Sequence, residues 1–520
     1  MTKAKTSAVA ATSSAVARLV SNSRWNLIAF SISLVINFAT IPVVISYIGL
    51  EAFGAAGLVI AIYAPFMLVG TVVGQAMVGQ LSPQIAAGNF ELAAPVLSAG
   101  LFMCAAGSLA VVALLALAGE ASVHFLSNQS STMTHWPLAF FVAGIGWAAQ
   151  QGVLVLQAAV AATQRYASLA WISVVAAVTS AASIVAGAML LPDYLGFLLG
   201  TSLGFLLSLT LWVLFVRRLM PRMFPLPRFG RRELHGIAEF GKWQGGAHFV
   251  GAIGNQVDRY VLGVFAPLTV VGQYNVAMRL QEVVHMGLLK ATEVLFPHFT
   301  LTAGDPIERR ASFFIQASWI LNVLGVAALA PLIPLAGDLL TLWINKETAN
   351  GGAIILRILA AAGILGCGVN VYYYFAIGTG QSGRIASLTV AHAALTVVFT
   401  YIAIKNFGPV AAGAGYLMAN ALRLGVTLWF TGRHFSATVS MRKLIECTLP
   451  PLIAGLLLAV AWWQSDWLAP SGWTQLIAAY AMVACSVLFG SVAATVVSKN
   501  GRLLTADNLS ALRRLVRWGA

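Results

Sequence analysis

WNLIAFSISLVINFATIPVVISYIG, residues 25–49, carries no charged side chain over its whole length. A helix needs ~20 apolar residues to cross the hydrocarbon of a bilayer, so this run is long enough to span. Similar runs, rich in Ala, Leu, Val and Gly, recur almost without pause to residue 497. Closed β-barrels also cross membranes, but from short segments of alternating polarity, and these runs are continuous. The pattern predicts an all-α polytopic membrane protein. Composition agrees: of 520 residues 59% are apolar and 9% charged, with a mean hydropathy of +0.85. A soluble globule carries about 25% charged residues, so the outer surface of this chain must face lipid.

A cleaved signal peptide has an apolar core of ~7–15 residues. The first run is longer and reads as a retained helix behind a cytoplasmic tail, residues 1–24. The four cysteines, Cys104, Cys367, Cys447 and Cys485, lie inside or at the edge of apolar runs. They read as small core residues, with no disulfide framework or metal-ligand spacing. Neither a metal nor a cofactor is expected.

About fourteen spans follow, near 25–49, 55–79, 95–118, 137–162, 168–191, 194–216, 243–265, 276–299, 311–336, 353–378, 385–404, 409–431, 445–464 and 474–497. Basic residues concentrate on the cytoplasmic side of membrane proteins. With both termini in the cytoplasm, 23 of the 30 Lys and Arg fall in cytoplasmic segments, and only Lys346 and Lys405 in exported loops. The net charge of +14 is therefore first a sign of topology. No stretch is long enough for a nucleic-acid-binding domain. The longest segment outside the spans, 217–242, carries seven basic residues and reads as a connector, able to touch anionic lipid headgroups.

The chain repeats itself. YIGLEAFGAAG after the first span resembles FAPLTVVGQYN after the seventh, with Gly54 matching Gly272 at an offset of 218. RYASL and RIASL match Arg165 to Arg384 at 219, and LTLW and VTLW match Trp212 to Trp429 at 217. These anchors predict two parallel six-helix lobes, 25–216 and 243–431, with two further helices in 432–497 and a basic tail, 498–520. Parallel repeats are a transporter architecture, with the substrate path between the halves and alternating access by rocking.

Rival classes leave weaker traces. Gly236–Lys242 matches G-x-x-x-x-G-K, but Trp243 stands where a phosphate loop needs Ser or Thr, and no strand precedes it. A membrane-embedded glycan polymerase or ligase is expected to carry a sizeable exported loop. Here the longest, 119–136 and 337–352, are short.

Ionisable residues within a membrane are costly and normally face a cavity or a partner. The seventh and eighth spans concentrate them: Asn255, Asp258 and Arg259, then Arg279, Glu282, His285, Lys290 and Glu293. At roughly 100° per residue, Arg279, Glu282, Lys290 and Glu293 share a stripe about 80° wide and ~21 Å long. The bland reading is mutual neutralisation, Asp258 with Arg279 and Lys290 with Glu293. The sharper one is a wet, cavity-lining rail. Arg423 lies deep in the twelfth span, whereas Arg357 sits near a span end and can snorkel. Within the spans, Arg259, Arg279, Lys290, Arg357 and Arg423 outnumber Asp258, Glu282 and Glu293, and Arg24 adds a cation at the inner mouth. A cationic path suits a phosphate or diphosphate. A path for cationic drugs would be dominated by acids. No residue is assigned a catalytic role.

YIGLEAFGAAGLV at 47–59, QRYASLAW at 164–171 and DRYVLGVFAPLTVVGQYNVAMRL at 258–280 resemble the polysaccharide and O-antigen flippases of the multidrug/oligosaccharidyl-lipid/polysaccharide exporter superfamily. Asp258, Arg259, Gly272 and Tyr274 match the motif positions. The resemblance implies twelve core helices in two lobes, commonly with two more. It implies movement of undecaprenyl-diphosphate-linked oligosaccharide across the bacterial cytoplasmic membrane for O-antigen or exopolysaccharide synthesis, driven by H+ or Na+ rather than ATP. Polysaccharide polymerase and chain-length proteins are the partners it implies, besides membrane lipids. On that basis Arg24, Arg259, Arg279, Lys290 and Arg423 are candidates for the substrate path, Asp258, Glu282 and Glu293 for ion coupling, and Asn255 for polar lining. Drug exporters and lipid II flippases share the fold, and a lipid II flippase too would use an arginine near Arg24.

Overall fold

A computed structural model describes residues 2–126, 135–224, 230–254, 256–292, 295–302, 304–465, 468 and 470–508, with only the backbone for residues 2–24, 26–27, 118–126, 240, 242–248, 250, 291, 296–297, 301 and 382. The chain is almost wholly helical, and no strand occurs among the described residues. It divides into two compact units, Met1–Ala252 and Ile253–Ala520.

In the first unit the helices are α1 (Thr2–Tyr63), α2 (Leu68–Ala86), α3 (Phe90–Leu126), α4 (Trp136–Ala162), α5 (Tyr166–Leu190), α6 (Tyr194–Leu219) and most of α7 (Arg231–Gly254). In the second they are α8 (Val257–Phe265), α9 (Leu268–Thr292), α10 (Leu295–Leu301), α11 (Ile307–Leu329), α12 (Ala336–Trp343), α13 (Lys346–Gly378), α14 (Ser382–Phe407), α15 (Ala412–His434), α16 (Met441–Gln464) and α17 (Trp473–Val496). Side-chain caps start several of them: Asn345 accepts from the Thr348 N–H at 2.8 Å, and Ser440 from that of Lys443 at 3.2 Å. Such caps satisfy amide groups that have no partner inside the helix.

Ten helical stretches among the described residues are long and apolar enough to cross a membrane. With large apolar side chains such as Leu109, Leu117, Leu190, Leu457 and Phe489 exposed, they make this a multi-pass membrane protein. Ten is fewer than the fourteen spans expected. The first stretch, Ile28–Ala86, is 59 residues long and is interrupted at Gly49. The helices at the expected seventh, eighth and twelfth positions, α7–α8, α9 and α15, are not among the ten; α8, α9 and α15 hold Asp258, Arg259, Arg279, Glu282, Lys290 and Arg423, which lower their apolarity.

The YIGLEAFGAAG and FAPLTVVGQYN segments, expected as loops, are mostly helix: Gly54 lies within α1, and Gly272 and Tyr274 within α9. The chain breaks more tightly, at Gly49 (φ 78, ψ 167) in one unit and at Ala266 (φ −126, ψ 151), before Pro267, in the other. The repeat offset that pairs Gly54 with Gly272 also pairs Gly49 with Pro267, so the two copies interrupt the helix within one residue of the same register. Gly49 lies in a backbone region open essentially to glycine alone, where another residue costs of order 1–3 kcal/mol. No atom lies within 4 Å of a Cβ placed there. Gly49→Ala is therefore expected to lower thermal stability in detergent through the backbone alone, and an unchanged melting midpoint would contradict that geometry.

Each unit has its own core. In the first, Met77, Leu81, Leu97, Leu156 and Trp212 are fully buried together. Its α5 and α6 meet through small residues. Cβ atoms added at Gly200 and Gly204 would lie 2.9 Å from the Cα atoms of Ile184 and Ser180, and one at Gly187 would lie 2.7 Å from the Cα of Gly200. Gly196, Gly200 and Gly204 recur every fourth residue, which lets membrane helices approach backbone to backbone. The second unit packs on rings: Phe375 lies 5.4 Å from Phe299, 5.4 Å from Phe314 and 5.3 Å from Phe435, measured between ring centroids.

Candidate functional site

The second unit gathers its charges where α8 meets α9. The helix stops after Gly254 and restarts with Gln256 as the cap of α8, so Asp258 and Arg259 fall in the first turn of a nine-residue helix. An acid there faces unpaired N–H groups and the positive end of the helix dipole. Asp258, only 2% exposed, accepts the Arg259 N–H through Oδ1 at 2.9 Å and the Tyr274 hydroxyl through Oδ2. Tyr274 is fully buried on α9. The expected Asp258–Arg279 pair does not form: a phenol one turn nearer the start of α9 reaches the carboxylate, because α9 begins at Leu268 instead of residue 276.

Arg259 is engaged at every nitrogen. Its Nε donates to Asn275 Oδ1 at 2.9 Å, Nη1 donates to Gln256 Oε1, and Nη2 meets Glu282 Oε1 at 3.4 Å. The other oxygen of Glu282 meets Arg279 Nη1 at 3.4 Å. Asn275, Arg279 and Glu282 share a face of α9 by their i, i+4 and i+7 spacing. Arg259 is buried, Glu282 is partly exposed and the Arg279 side chain is 59% exposed. The chain Arg259–Glu282–Arg279 thus runs from a locked, buried cation to an open one.

Further along the rail, Lys290 is exposed near the end of α9. Asn255, Glu293 and the Arg24 side chain lie outside the described residues. Arg357 donates from Nε to the Ile333 carbonyl at 3.2 Å and stacks 4.7 Å from the Trp463 ring centroid, a packing role. Arg423, on α15, has Tyr416 and Tyr373 as its electrostatic neighbours.

Three residues absent from the sequence reading belong to this polar region. His392 on α14 lies 5.7 Å, ring to ring, from Tyr416 on α15, and both approach Asn420. The signal was present: Tyr416, Asn420 and Arg423 follow at i, i+4 and i+7, one face of a helix. Tyr416 lies within electrostatic reach of Asp258 and Glu282 as well, so the two groups form one polar region inside the second unit. The first unit has no counterpart in sequence. At the repeat offset, Asp258, Arg259, Tyr274, Asn275, Arg279 and Glu282 correspond to Thr40, Ile41, Ala56, Gly57, Ala61 and Ala64. No group of three His, Cys, Asp or Glu suited to a metal occurs among the described residues.

The fold is that of the MOP-superfamily transporters. A lipid II flippase, MurJ, in an inward closed conformation superposes with a TM-score of 0.69 at 14% identity, covering 89% of this chain and 96% of that one. An inward-facing multidrug resistance MATE transporter gives 0.64 at 16% identity, covering 78% and 95%. A MOP-superfamily transporter from Pyrococcus furiosus, described as having a binding pocket of reverse polarity, gives 0.56 at 16% identity, covering 81% and 96%. At such identities the likeness shows the fold alone. In sequence, the pattern of the polysaccharide biosynthesis protein family matches residues 19–302, more than half of the chain, and the chain belongs to that family. No curated protein matches it.

Proposed function

We propose that this protein is a flippase that carries undecaprenyl-diphosphate-linked oligosaccharide across the bacterial inner membrane by alternating access, for O-antigen or exopolysaccharide synthesis. The supporting observation is the open end of a cationic chain, Arg279, in a member of the polysaccharide biosynthesis family. A guanidinium presents paired donors that match phosphate oxygens. Arg279, Lys290 and Arg423 attract the diphosphate, with Arg24 at the cytoplasmic mouth. Arg259 holds α8 to α9, since all its nitrogens are engaged. Asp258, Glu282 and Glu293 are the candidate acids for H+ or Na+ coupling. Both termini lie in the cytoplasm, on the strength of the basic-residue asymmetry, and the fourteen-span, two-lobe topology belongs to the same reading.

Replacing Arg279 and Lys290 together by Ala, at normal protein level and in cells lacking the native copy, is expected to cut surface polymer at least tenfold. Undiminished export sinks the cationic path. The MurJ-like fold favours a second reading, lipid II flipping, and rescue of cells depleted of their lipid II flippase would replace the first. A drug exporter would instead change drug tolerance and leave polymer untouched. A glycan polymerase or ligase would turn over in detergent, with no sealed bilayer.

A further inference from the structure

The second unit collects basic groups at another place, where α11 and α14 begin and α15 ends. His434, the last residue of α15, has Arg310 of α11 and Arg384 of α14 as its electrostatic neighbours. Its ring packs edge-on against Phe375 at 5.2 Å and Phe435 at 4.8 Å, which holds it in place. Arg310 Nε and His434 Nε2 are buried without a hydrogen-bond partner. Arg384 is exposed: its Nη1 donates to Gln381 Oε1 at 2.5 Å, its guanidinium lies 5.7 Å from the Phe430 ring centroid, and the Tyr372 phenol stands beside it. Neither arginine pairs with a carboxylate among the described residues. Of the acids at the start of α11, Asp305 is held by Arg309 at 3.5 Å, and Glu308 is exposed. Two guanidinia around one imidazole repel each other, and buried polar groups in native proteins almost always have partners. An anion from outside the chain answers both.

The surface beside the cluster says which anion. On α15, Met418, Leu422, Val426, Trp429 and Arg433 share a face about 80° wide at roughly 100° per residue. The four apolar side chains are between 41% and 49% exposed. They run ~17 Å along the axis, about the depth of one leaflet of a ~30 Å hydrocarbon core. The stripe ends in Trp429, whose ring meets Phe430 at 4.9 Å and carries the Arg433 guanidinium at 5.4 Å. Tryptophan at the end of a membrane helix marks the level of the headgroups. The cations therefore stand where phosphates lie, and the stripe stands where acyl chains lie. With the termini in the cytoplasm, this is the cytoplasmic leaflet, where basic pockets between helices hold anionic headgroups. A soluble anion would use the cations and leave the stripe uncovered, whereas a lipid covers both. We infer that Arg310, Arg384, Arg433 and His434, with the exposed stripe of α15, form a binding site for one anionic phospholipid. Its phosphate sits on the arginines, whose paired donors match phosphate oxygens, and an acyl chain lies along α15. The site is separate from the substrate path, since Arg423 falls off this face of α15, and it does not depend on the identity of the cargo.

The test gives purified, delipidated full-length protein either phosphatidylglycerol, which is anionic, or phosphatidylethanolamine, which is zwitterionic. Binding is followed by native mass spectrometry and thermal melting in mild detergent. The wild type is expected to hold phosphatidylglycerol at least tenfold tighter and to melt higher with it. Arg310→Gln combined with Arg384→Gln is expected to abolish that preference. Without lipid this double variant should melt at or above the wild type, because two charges that repel have been removed. If it melts well below, Arg384→Gln combined with Arg433→Gln, both at exposed positions, decides in its place, with the same loss expected. Leu422→Asn combined with Val426→Asn is expected to weaken phosphatidylglycerol binding several-fold by spoiling the stripe. Arg442→Gln, at an exposed pair with Glu446, is expected to leave it unchanged. Equal binding of the two phospholipids by the wild type overturns the site, as does an undiminished preference in both arginine pairs. Glycerol phosphate bound as tightly as phosphatidylglycerol would mean a free anion only and also overturns it. So does undecaprenyl phosphate that displaces phosphatidylglycerol at equal amounts, which would give these residues to the cargo's carrier. Binding is read here without transport, so failure of the flippase reading leaves this site standing, and failure of this site leaves the flippase.

Discussion

Asp258→Ala protein is expected to be nearly lost from the membrane, while Asp258→Asn protein accumulates close to the wild-type level. The carboxylate sits at the centre of the α8–α9 junction, holding the Tyr274 hydroxyl and the Arg259 N–H. Alanine leaves the phenol of a fully buried tyrosine without an acceptor. It also strips the Arg259 side chain of a neighbouring negative charge, so that only Glu282, at 3.4 Å, balances it. Removing one member of a buried charged network costs about 3–5 kcal/mol. Asparagine keeps the shape and an acceptor oxygen for the Arg259 N–H, and its NH2 group can donate to the Tyr274 phenol oxygen instead of accepting from it, so the junction loses the charge and one accepted bond but no contact. Size-exclusion profiles in mild detergent, read from a fluorescent fusion, measure both variants. Equal recovery of the two would show that the Tyr274 and Arg259 contacts do not hold this junction. Export separates the remaining roles: an Asn variant that folds but moves no polymer assigns the charge itself to coupling.

Gly200→Leu is expected to be as damaging, by another route. A side chain there would start 2.9 Å from the Cα of Ile184, inside the α5 backbone, and backbone cannot turn aside as a side chain can. Overpacking a core costs typically 1–3 kcal/mol, and this position should reach the top of that range or exceed it. Gly287→Leu is the control. It also lies within a helix, but nothing lies within 4 Å of its Cβ position, and leucine favours helix over glycine. A loss of at least 10 °C in melting midpoint at Gly200, with little change at Gly287, is the expected contrast, on the order of a few degrees per kcal/mol. A Gly200 variant that melts like the wild type would mean that α5 and α6 stand further apart.

The membrane class and many of the helices were legible because lipid leaves a strong mark on sequence. The expected spans 137–162, 168–191 and 194–216 differ from α4, α5 and α6 by a few residues, since each is a long apolar run ended by a turn. The motif FAPLTVVGQYN misled because Gly and Pro usually punctuate soluble chains, whereas membrane helices tolerate them. Placing it in a loop moved the start of α9 by eight residues and hid Tyr274 as the partner of Asp258. Asp258, Arg259, Arg279 and Glu282 stood out because charge is rare in such a chain. His392, Tyr416 and Asn420 did not, because neutral polar residues are scattered through the apolar runs, and only the i, i+4, i+7 register ending on Arg423 singles them out. The Gly196, Gly200 and Gly204 spacing was equally open to reading and announces the α5–α6 seam.

The segments that carry the polar region are also those that lipid accepts least willingly. At nine residues α8 is too short to span alone, the charged α9 is not among the helices long and apolar enough to do so, and a charge at mid-membrane costs ~2.5–3.5 kcal/mol on insertion scales. Glu282, lying between Arg259 and Arg279, offsets part of that cost only once α8 and α9 are side by side. During synthesis the two helices are therefore poor candidates to leave the translocon one at a time. Their membrane insertion is best understood as a joint event, in which the ion pairs close before lipid reaches them, and the chemistry of the mature site is also a requirement of its biogenesis.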